Sequence, residues 1–223
     1  MRAAALCGSL GEDDLSELEA MRRRKRVRPG ETLAWQGERS PLVGVVVDGV
    51  LKLTVSNADG DEQIIGLVHR GDFLGRPFGG PTAYGVSAVG DANVCLFPRN
   101  RFDQLASERA QVGHRLLEAT LEELERSRRW LRMLGHKTAG QKLAAFLVDF
   151  QRQAADARGD TTRIALPFTR QHIADILGLT FETVSREFSE LRRRLIIDLP
   201  DSRVVVVRNR DALLRASGDL PLH

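Results

Sequence analysis

Residues 166–197, LPFTRQHIADILGLTFETVSREFSELRRRLII, constrain the fold of this chain more tightly than any other stretch. Thr169 stands where a helix N-cap belongs, and Ile173, Ile176 and Leu177 follow at the spacing of one apolar helical face. Gly178-Leu179-Thr180 then supplies a helix-ending glycine and a second N-cap. The next helix is predicted to bury Val184, Phe188, Leu191 and Leu195. On its other side Glu182, Ser185 and Arg186 stand at i, i+3 and i+4, so all three reach outward together. An arginine can grip a guanine edge with two hydrogen bonds, and a carboxylate can accept from cytosine N4. Two helices around a short glycine turn, the second carrying base-reading groups near its N-terminus, predict a helix-turn-helix that enters double-stranded DNA. An ordinary helical hairpin with a charged solvent face is the alternative, and it would not require that alignment.

The formal net charge of +3 excludes a histone-like polycation. Local distribution matters more. Arg192, Arg193 and Arg194 end the second helix, and Arg203, Arg208 and Arg210 follow closely. Such a stripe suits phosphates, which supply affinity and register without reading sequence. Contacts to the DNA backbone are expected from Thr169, Arg170, Thr180, Thr183, Arg192, Arg193 and Arg203. No phosphate-binding glycine loop, H-E-x-x-H or G-x-S-x-G is present, so an enzyme is not expected.

The chain begins MRAAALCGSLGEDDLSEL, without a basic-plus-apolar leader, and no apolar run reaches membrane-spanning length. Its only cysteines are Cys7 and Cys95, too few for a disulfide-stapled secreted scaffold. A cytoplasmic protein with no membrane partner is expected.

Three regions separate by pattern at 223 residues, and together they predict an α+β chain. The first, residues 1–110, opens on a short helix from Glu12 to Arg22. Short apolar runs follow at Leu42–Val47, Val50–Val55, Gln63–Val68 and Val94–Phe97, with Asp48-Gly49, Asp59-Gly60 and Arg70-Gly71 where turns belong. Many short strands with glycine turns predict a compact β-roll or jelly-roll barrel. The second region, residues 111–135, reads as one long helix in which Leu117, Leu121, Leu124 and Leu131 step by four, three and seven, a coiled-coil seam interrupted by Arg128. Leu116 and Trp130 fall on another face, free to pack on the β-roll. A homodimer is expected, because pairing gives a reader with one recognition helix a second half-site; docking of the helix on its own domain is the alternative. The third region, residues 136–218, holds a helix from Thr138 to Gln151, a polar loop from Ala155 to Thr162, the helix-turn-helix, and a hairpin turning at Pro200-Asp201-Ser202 before strand Val204–Val207.

A β-roll, a dimer helix and a winged helix-turn-helix, in that order, resemble the Crp/Fnr family of bacterial transcription regulators over essentially the whole chain. TRQHIADILGLTFETVSREFSEL is a highly specific match, and GDFLGRPF with VGHRLLEATLEELERSRRWLRMLGHKTA places the likeness on the Fnr/FnrL-like branch. The resemblance implies a cyclic-nucleotide-binding-like β-roll. It also implies that Glu182, Ser185 and Arg186 read a TTGAT-N4-ATCAA palindrome, with Arg186 on guanine, and that the dimer acts beside RNA polymerase. One departure is Arg194, where many relatives carry glycine before the final Leu-Ile; a positive φ there would cost roughly 1 kcal/mol.

Relatives that bind cyclic AMP use a glutamate for the ribose and an Arg-Ser pair for the phosphate. Here the corresponding stretches read GDFLG (71–75) and TAYGVS (82–87), which argues against cyclic AMP, since a buried phosphate needs its arginine. Fnr proteins instead hold an oxygen-labile 4Fe-4S cluster on four thiolates. Cys7 and Cys95 stand where the last N-terminal ligand and the β-roll ligand of that set belong, as candidate residual ligands, whereas a C-x-x-C pair would lie upstream of Met1. Two explanations stay open: a shortened chain, or a clusterless member whose two cysteines are residual. Core packing also accounts for Cys95, and the two thiols could pair if brought close. Haem is a further alternative, although His69, His114, His136, His172 and His223 show no paired ligand spacing. A dimeric regulator linked to oxygen or redox signalling is thus the leading expectation, and a small-molecule or gas-sensing module of the same fold is the other. In either, an effector is expected to act on the long helix pair, where Arg128 weakens the seam.

Overall fold

The computed structural model describes residues 10–57, 62–158 and 162–219, with side chains placed for all but 154–158. Two compact units, Met1–Ser127 and Arg128–His223, divide inside a long helix rather than at either of its ends.

The first unit opens with α1 (Glu12–Met21), followed by β1 (Arg23–Val27), β2 (Thr32–Ala34), β3 (Leu42–Asp48), β4 (Leu51–Ser56), β5 (Glu62–Val68), β6 (Phe73–Leu74), β7 (Gly85–Ala88) and β8 (Ala92–Pro98). Then come α2 (Arg99–Glu108) and α3 (Ala110–His136). The strands form two four-stranded antiparallel sheets, ordered β1-β8-β3-β6 and β2-β7-β4-β5. Each sheet has an apolar inner face. Leu51, Val86 and Ala88 of one meet Val46, Val94 and Leu96 of the other in a core between them. The first sheet is apolar on its outer face too, where Val43, Val45, Cys95 and Phe97 pack against Leu18 and Met21 of α1, Phe102 and Leu105 of α2, and Val112 and Leu116 of α3. Gly44 marks the tightest point between β3 and β8, since a Cβ there would stand 2.4 Å from the Cys95 carbonyl oxygen.

The four predicted strands are all present, and Leu116 packs inward as expected. The turn expected at Asp59-Gly60 lies outside the described residues. β1 is an addition. The sequence of β1, RRKRV, alternates nothing, and Arg23 to Arg26 are all exposed, with only Val27 buried. It pairs with β8 along one side alone, so its charged side chains reach water from a sheet edge.

The second unit takes in the end of α3, then α4 (Ala139–Arg158), β9 (Arg163–Ala165), α5 (Arg170–Leu177), α6 (Phe181–Arg193), β10 (Ile197–Asp201), β11 (Val204–Val207) and α7 (Arg210–Ser217). Phe146 and Phe150 of α4 stack with Phe168, at ring separations of 4.8 to 5.8 Å, as the centre of its core. The three strands lie in the order β10-β11-β9, all antiparallel. Three expectations need correction. The helix expected to end at Gln151 continues to Arg158, so the polar loop is shorter. Pro200 and Asp201 belong to β10 behind a bulge, and the hairpin turns at Ser202-Arg203 instead. Leu195 is not buried with Val184, Phe188 and Leu191: it is 78% exposed and leaves the helix with φ +56.

Candidate nucleic-acid interface

The two helices of the DNA-reading stretch owe their ends to local chemistry. The Thr169 hydroxyl accepts from the His172 N–H at 3.2 Å, capping α5. Gly178 closes that helix in the left-handed region at φ 61. Thr180 then caps α6 by accepting from the Thr183 N–H at 3.2 Å. At the far end Ile196 N–H reaches the Leu191 carbonyl at 3.0 Å and Leu195 N–H reaches that of Arg192 at 2.9 Å, a Schellman closure. The residue with positive φ is therefore Leu195, while Arg194 keeps φ −79. The strain expected at Arg194 sits one residue later, because burying Ile196 fixes where the chain must turn.

Val184, Phe188 and Leu191 bury one side of α6. Glu182 and Arg186 are exposed on the other side, with Ser185 half-buried between them. The Glu182 carboxylate is held below its ordinary range by the backbone N–H of its own first turn and by Thr180. It therefore stays ionised against the positive end of α6. The Nε of Arg186 lies 3.5 Å from Oε1 of Glu187.

Among the expected phosphate contacts, Thr169, Thr180, Arg192 and Arg203 are exposed and Thr183 is half-buried. Arg193 is bound to Glu190 through Nε and Nη2, at 3.0 and 2.8 Å. Arg170 differs: it is half-buried, and its guanidinium lies over the Phe188 ring, 3.2 Å from the centroid. That stacking ties the start of α5 to the middle of α6 and leaves Arg170 Nη1 buried without a partner.

On α3, Leu117, Leu121, Leu124 and Leu131 are 44 to 69% exposed, and Arg128 is exposed beside them. Among the described residues nothing buries that seam. Trp130 is half-buried, with its indole N–H buried and unpartnered.

Asp72 accepts from the His69 N–H at 2.8 Å and pairs with Arg126 of α3 at 2.9 Å. Cys95 is buried in the apolar cluster between the outer sheet face and α1, while Cys7 lies outside the described residues. His114, His136 and His172 are exposed, His69 is buried, and His223 lies outside the described residues. Among the described residues no three His, Cys, Asp or Glu side chains converge as a metal site, and no helix is long and apolar enough to cross a membrane.

A winged helix-turn-helix with outward-facing polar groups, joined through a long helix to a β-roll, defines a transcription regulator rather than an enzyme. Residues 24–109 match the cyclic nucleotide-binding domain and residues 141–216 the Crp-like helix-turn-helix domain. The chain is 38% identical to the transcriptional activator protein FnrL of Cereibacter sphaeroides, over 98% of this chain and 90% of that one. It is 26% identical to the fumarate and nitrate reduction regulatory protein of Escherichia coli, over 94% and 85%. Among solved structures, FixK2 from Bradyrhizobium japonicum superposes with a TM-score of 0.81 at 31% identity, over 89% of this chain and 98% of that one. The chain belongs to the Crp/Fnr family.

Helical spacing pairs Arg126 with Glu123 on its own helix, as found, but neither its contact with Asp72 nor the role of Glu187 is singled out by motif or spacing. Arg126 meets a turn distant in sequence, and neighbours at i, i+1 do not share a helix face.

Proposed function

We propose that this chain is a homodimeric activator that reads a TTGAT-N4-ATCAA palindrome and answers an oxygen or redox signal. The observation that carries the reading is the exposed side of α6, where Glu182, Ser185 and Arg186 stand together near a helix N-terminus. Arg186 grips the guanine edge, and Glu182 and Ser185 complete each half-site. Thr169, Thr180, Thr183, Arg192, Arg193 and Arg203 hold the phosphates, and Arg170, stacked on Phe188 with its Nη1 buried, adds its positive charge from behind them. Pairing along Leu117, Leu121, Leu124 and Leu131 joins two readers, and the bound dimer recruits RNA polymerase.

The likeness to the transcriptional activator FnrL supports activation, and the likeness to the fumarate and nitrate reduction regulator is compatible with a redox signal. A 4Fe-4S cluster does not fit the residues in hand. The sequence holds two cysteines where four thiolates are needed, and Cys95 is packed among Leu18, Met21, Val45 and Phe97. Cyclic AMP fits no better, since Asp72 already has its cation in Arg126 and the TAYGVS stretch supplies no arginine for a phosphate.

Binding to a labelled TTGAT-N4-ATCAA duplex, anaerobically after iron–sulfur reconstitution and again in air, tests the reading. Tight binding in at least one atmosphere, lost when the guanine pair is replaced, is the expected result. A difference between atmospheres supports the redox link, equal binding removes it, and no binding in either removes the palindrome.

A further inference from the structure

Glu187 follows Arg186 directly, yet its carboxylate does not point into water with it. Its side chain is 19% exposed against 68% for Arg186. The carboxylate is seated against the first turn of α4: a Cβ added to Gly140 would stand 2.9 Å from Glu187 Oε2. That turn is the positive end of a helix, a favourable place for an anion. The other oxygen, Oε1, faces Arg186 Nε at 3.5 Å. One carboxylate therefore lies between a fixed helix end and the arginine expected to read guanine.

We infer that Glu187 is a positioning residue for base recognition: seated against α4, it engages Arg186 through Nε and leaves the two Nη groups free for guanine. The inference rests on the base-reading role given to Arg186 above. An arginine on an exposed helix face samples many rotamers, and holding it before binding lowers the entropy lost on contact. Guanine recognition needs two parallel N–H donors, so an anchor on Nε orients the guanidinium plane without occupying both of them. The same carboxylate repels phosphate, which weakens attachment to DNA lacking the matched base. Gly140 completes the device by giving the carboxylate its seat.

The test measures binding of the full chain to the palindrome and to a duplex whose guanine pairs are replaced by A·T, at two salt concentrations. Wild type is compared with Glu187→Gln, Gly140→Ala and Arg186→Ala. A bidentate guanine contact separates matched from substituted DNA by roughly 5- to 150-fold, and Arg186→Ala should abolish that separation. Glu187→Gln should reduce the matched-to-substituted ratio about 2- to 4-fold while tightening binding to the substituted duplex, a fraction of the full contact. Gly140→Ala removes no charge and improves helix propensity, so thermal stability should hold or rise. Its new methyl group displaces the carboxylate, so discrimination should fall as in Glu187→Gln. A merely structural Glu187 predicts lower melting temperature with unchanged discrimination. Should both variants keep the wild-type ratio while Arg186→Ala loses it, the positioning role is wrong and the reading of Arg186 stands. Should Arg186→Ala itself keep the ratio, the assignment of Arg186 fails and the role of Glu187 fails with it.

Discussion

The guanidinium of Arg126 lies 2.9 Å from the carboxylate of Asp72, joining the long helix to the turn before β6, and the same guanidinium binds Glu123 one turn away on α3. His69 shares this site: it is buried, its N–H donates to Asp72, and burial and the Arg126 charge together push its pKa down to about 3. Burial pushes Asp72 the other way, to about 6, against the opposing pull of Arg126.

The two shifts have opposite effects on stability. His69 stays neutral in the folded chain, so the unfolded chain takes up its proton first as pH falls from 6.5 towards 3, and stability is lost there. Asp72 is protonated first in the folded chain, between about 6 and 3.8, and stability is gained there. His69 spans the wider interval, so acidification from pH 7 to 4.5 should lower the free energy of unfolding in urea. Arg126→Gln narrows the His69 interval and widens that of Asp72, so its pH dependence should be shallower. At pH 7 that variant should lose about 2–3 kcal/mol, the cost of leaving a buried carboxylate without its charged donor. A steeper acid loss in Arg126→Gln would contradict this assignment.

Leu195 occupies the left-handed region at φ +56 while 78% exposed, so its side chain gains little from burial and strains the backbone. Leu195→Gly should raise stability by about 1 kcal/mol, the difference that region imposes on a residue with a Cβ. Urea denaturation of the two proteins checks it, and a loss of stability would show that the side chain has a partner on DNA-free protein after all.

Arg128 interrupts an open seam of Leu117, Leu121, Leu124 and Leu131. Arg128→Leu adds an apolar side chain from each protomer, worth about 1.5–3 kcal/mol if buried. Sedimentation should show a dimer at least about tenfold tighter, with DNA binding less dependent on effector. Unchanged association would mean that the exposed leucines face something other than a second copy.

Arg203 and Arg193 are expected on phosphates and Arg186 on a base. Arg203→Ala should weaken binding to all duplexes by a similar factor and lower the salt slope by about 1. Arg193 is already bound to Glu190 at 2.8 Å, so Arg193→Ala should show the smaller effect of the two. Arg186→Ala should cost about 1–3 kcal/mol on the matched duplex and far less on one with the guanine pair replaced. Titrations across salt separate the two behaviours.

The helix-turn-helix was legible in the residues because its determinants are local. Thr169, Gly178 and Thr180 act on backbone groups within one helical turn, and the apolar stripe of α6 is a matter of spacing. The β-roll was legible for the same reason at strands whose apolar residues are bounded by glycine turns. β1 was not, because an edge strand needs no alternation when its side chains all reach water.

The amino-acid order by itself therefore determined the helix-turn-helix, the long helix, the main strands of the roll and which residues stand outward on α6, but not β1, β2, β6, β7, β9, α2 or α7. Short-range hydrogen bonding and apolar periodicity act within a few residues of one another, and they can be read along the chain. Only the tertiary structure decided that Arg170 stacks on Phe188, that Leu195 rather than Arg194 makes the left-handed turn, that Arg126 meets Asp72, and that Glu187 is seated over Gly140. Each depends on how separate elements pack: burial sets the distance and dielectric between groups remote in sequence, and no spacing rule along one element carries that information.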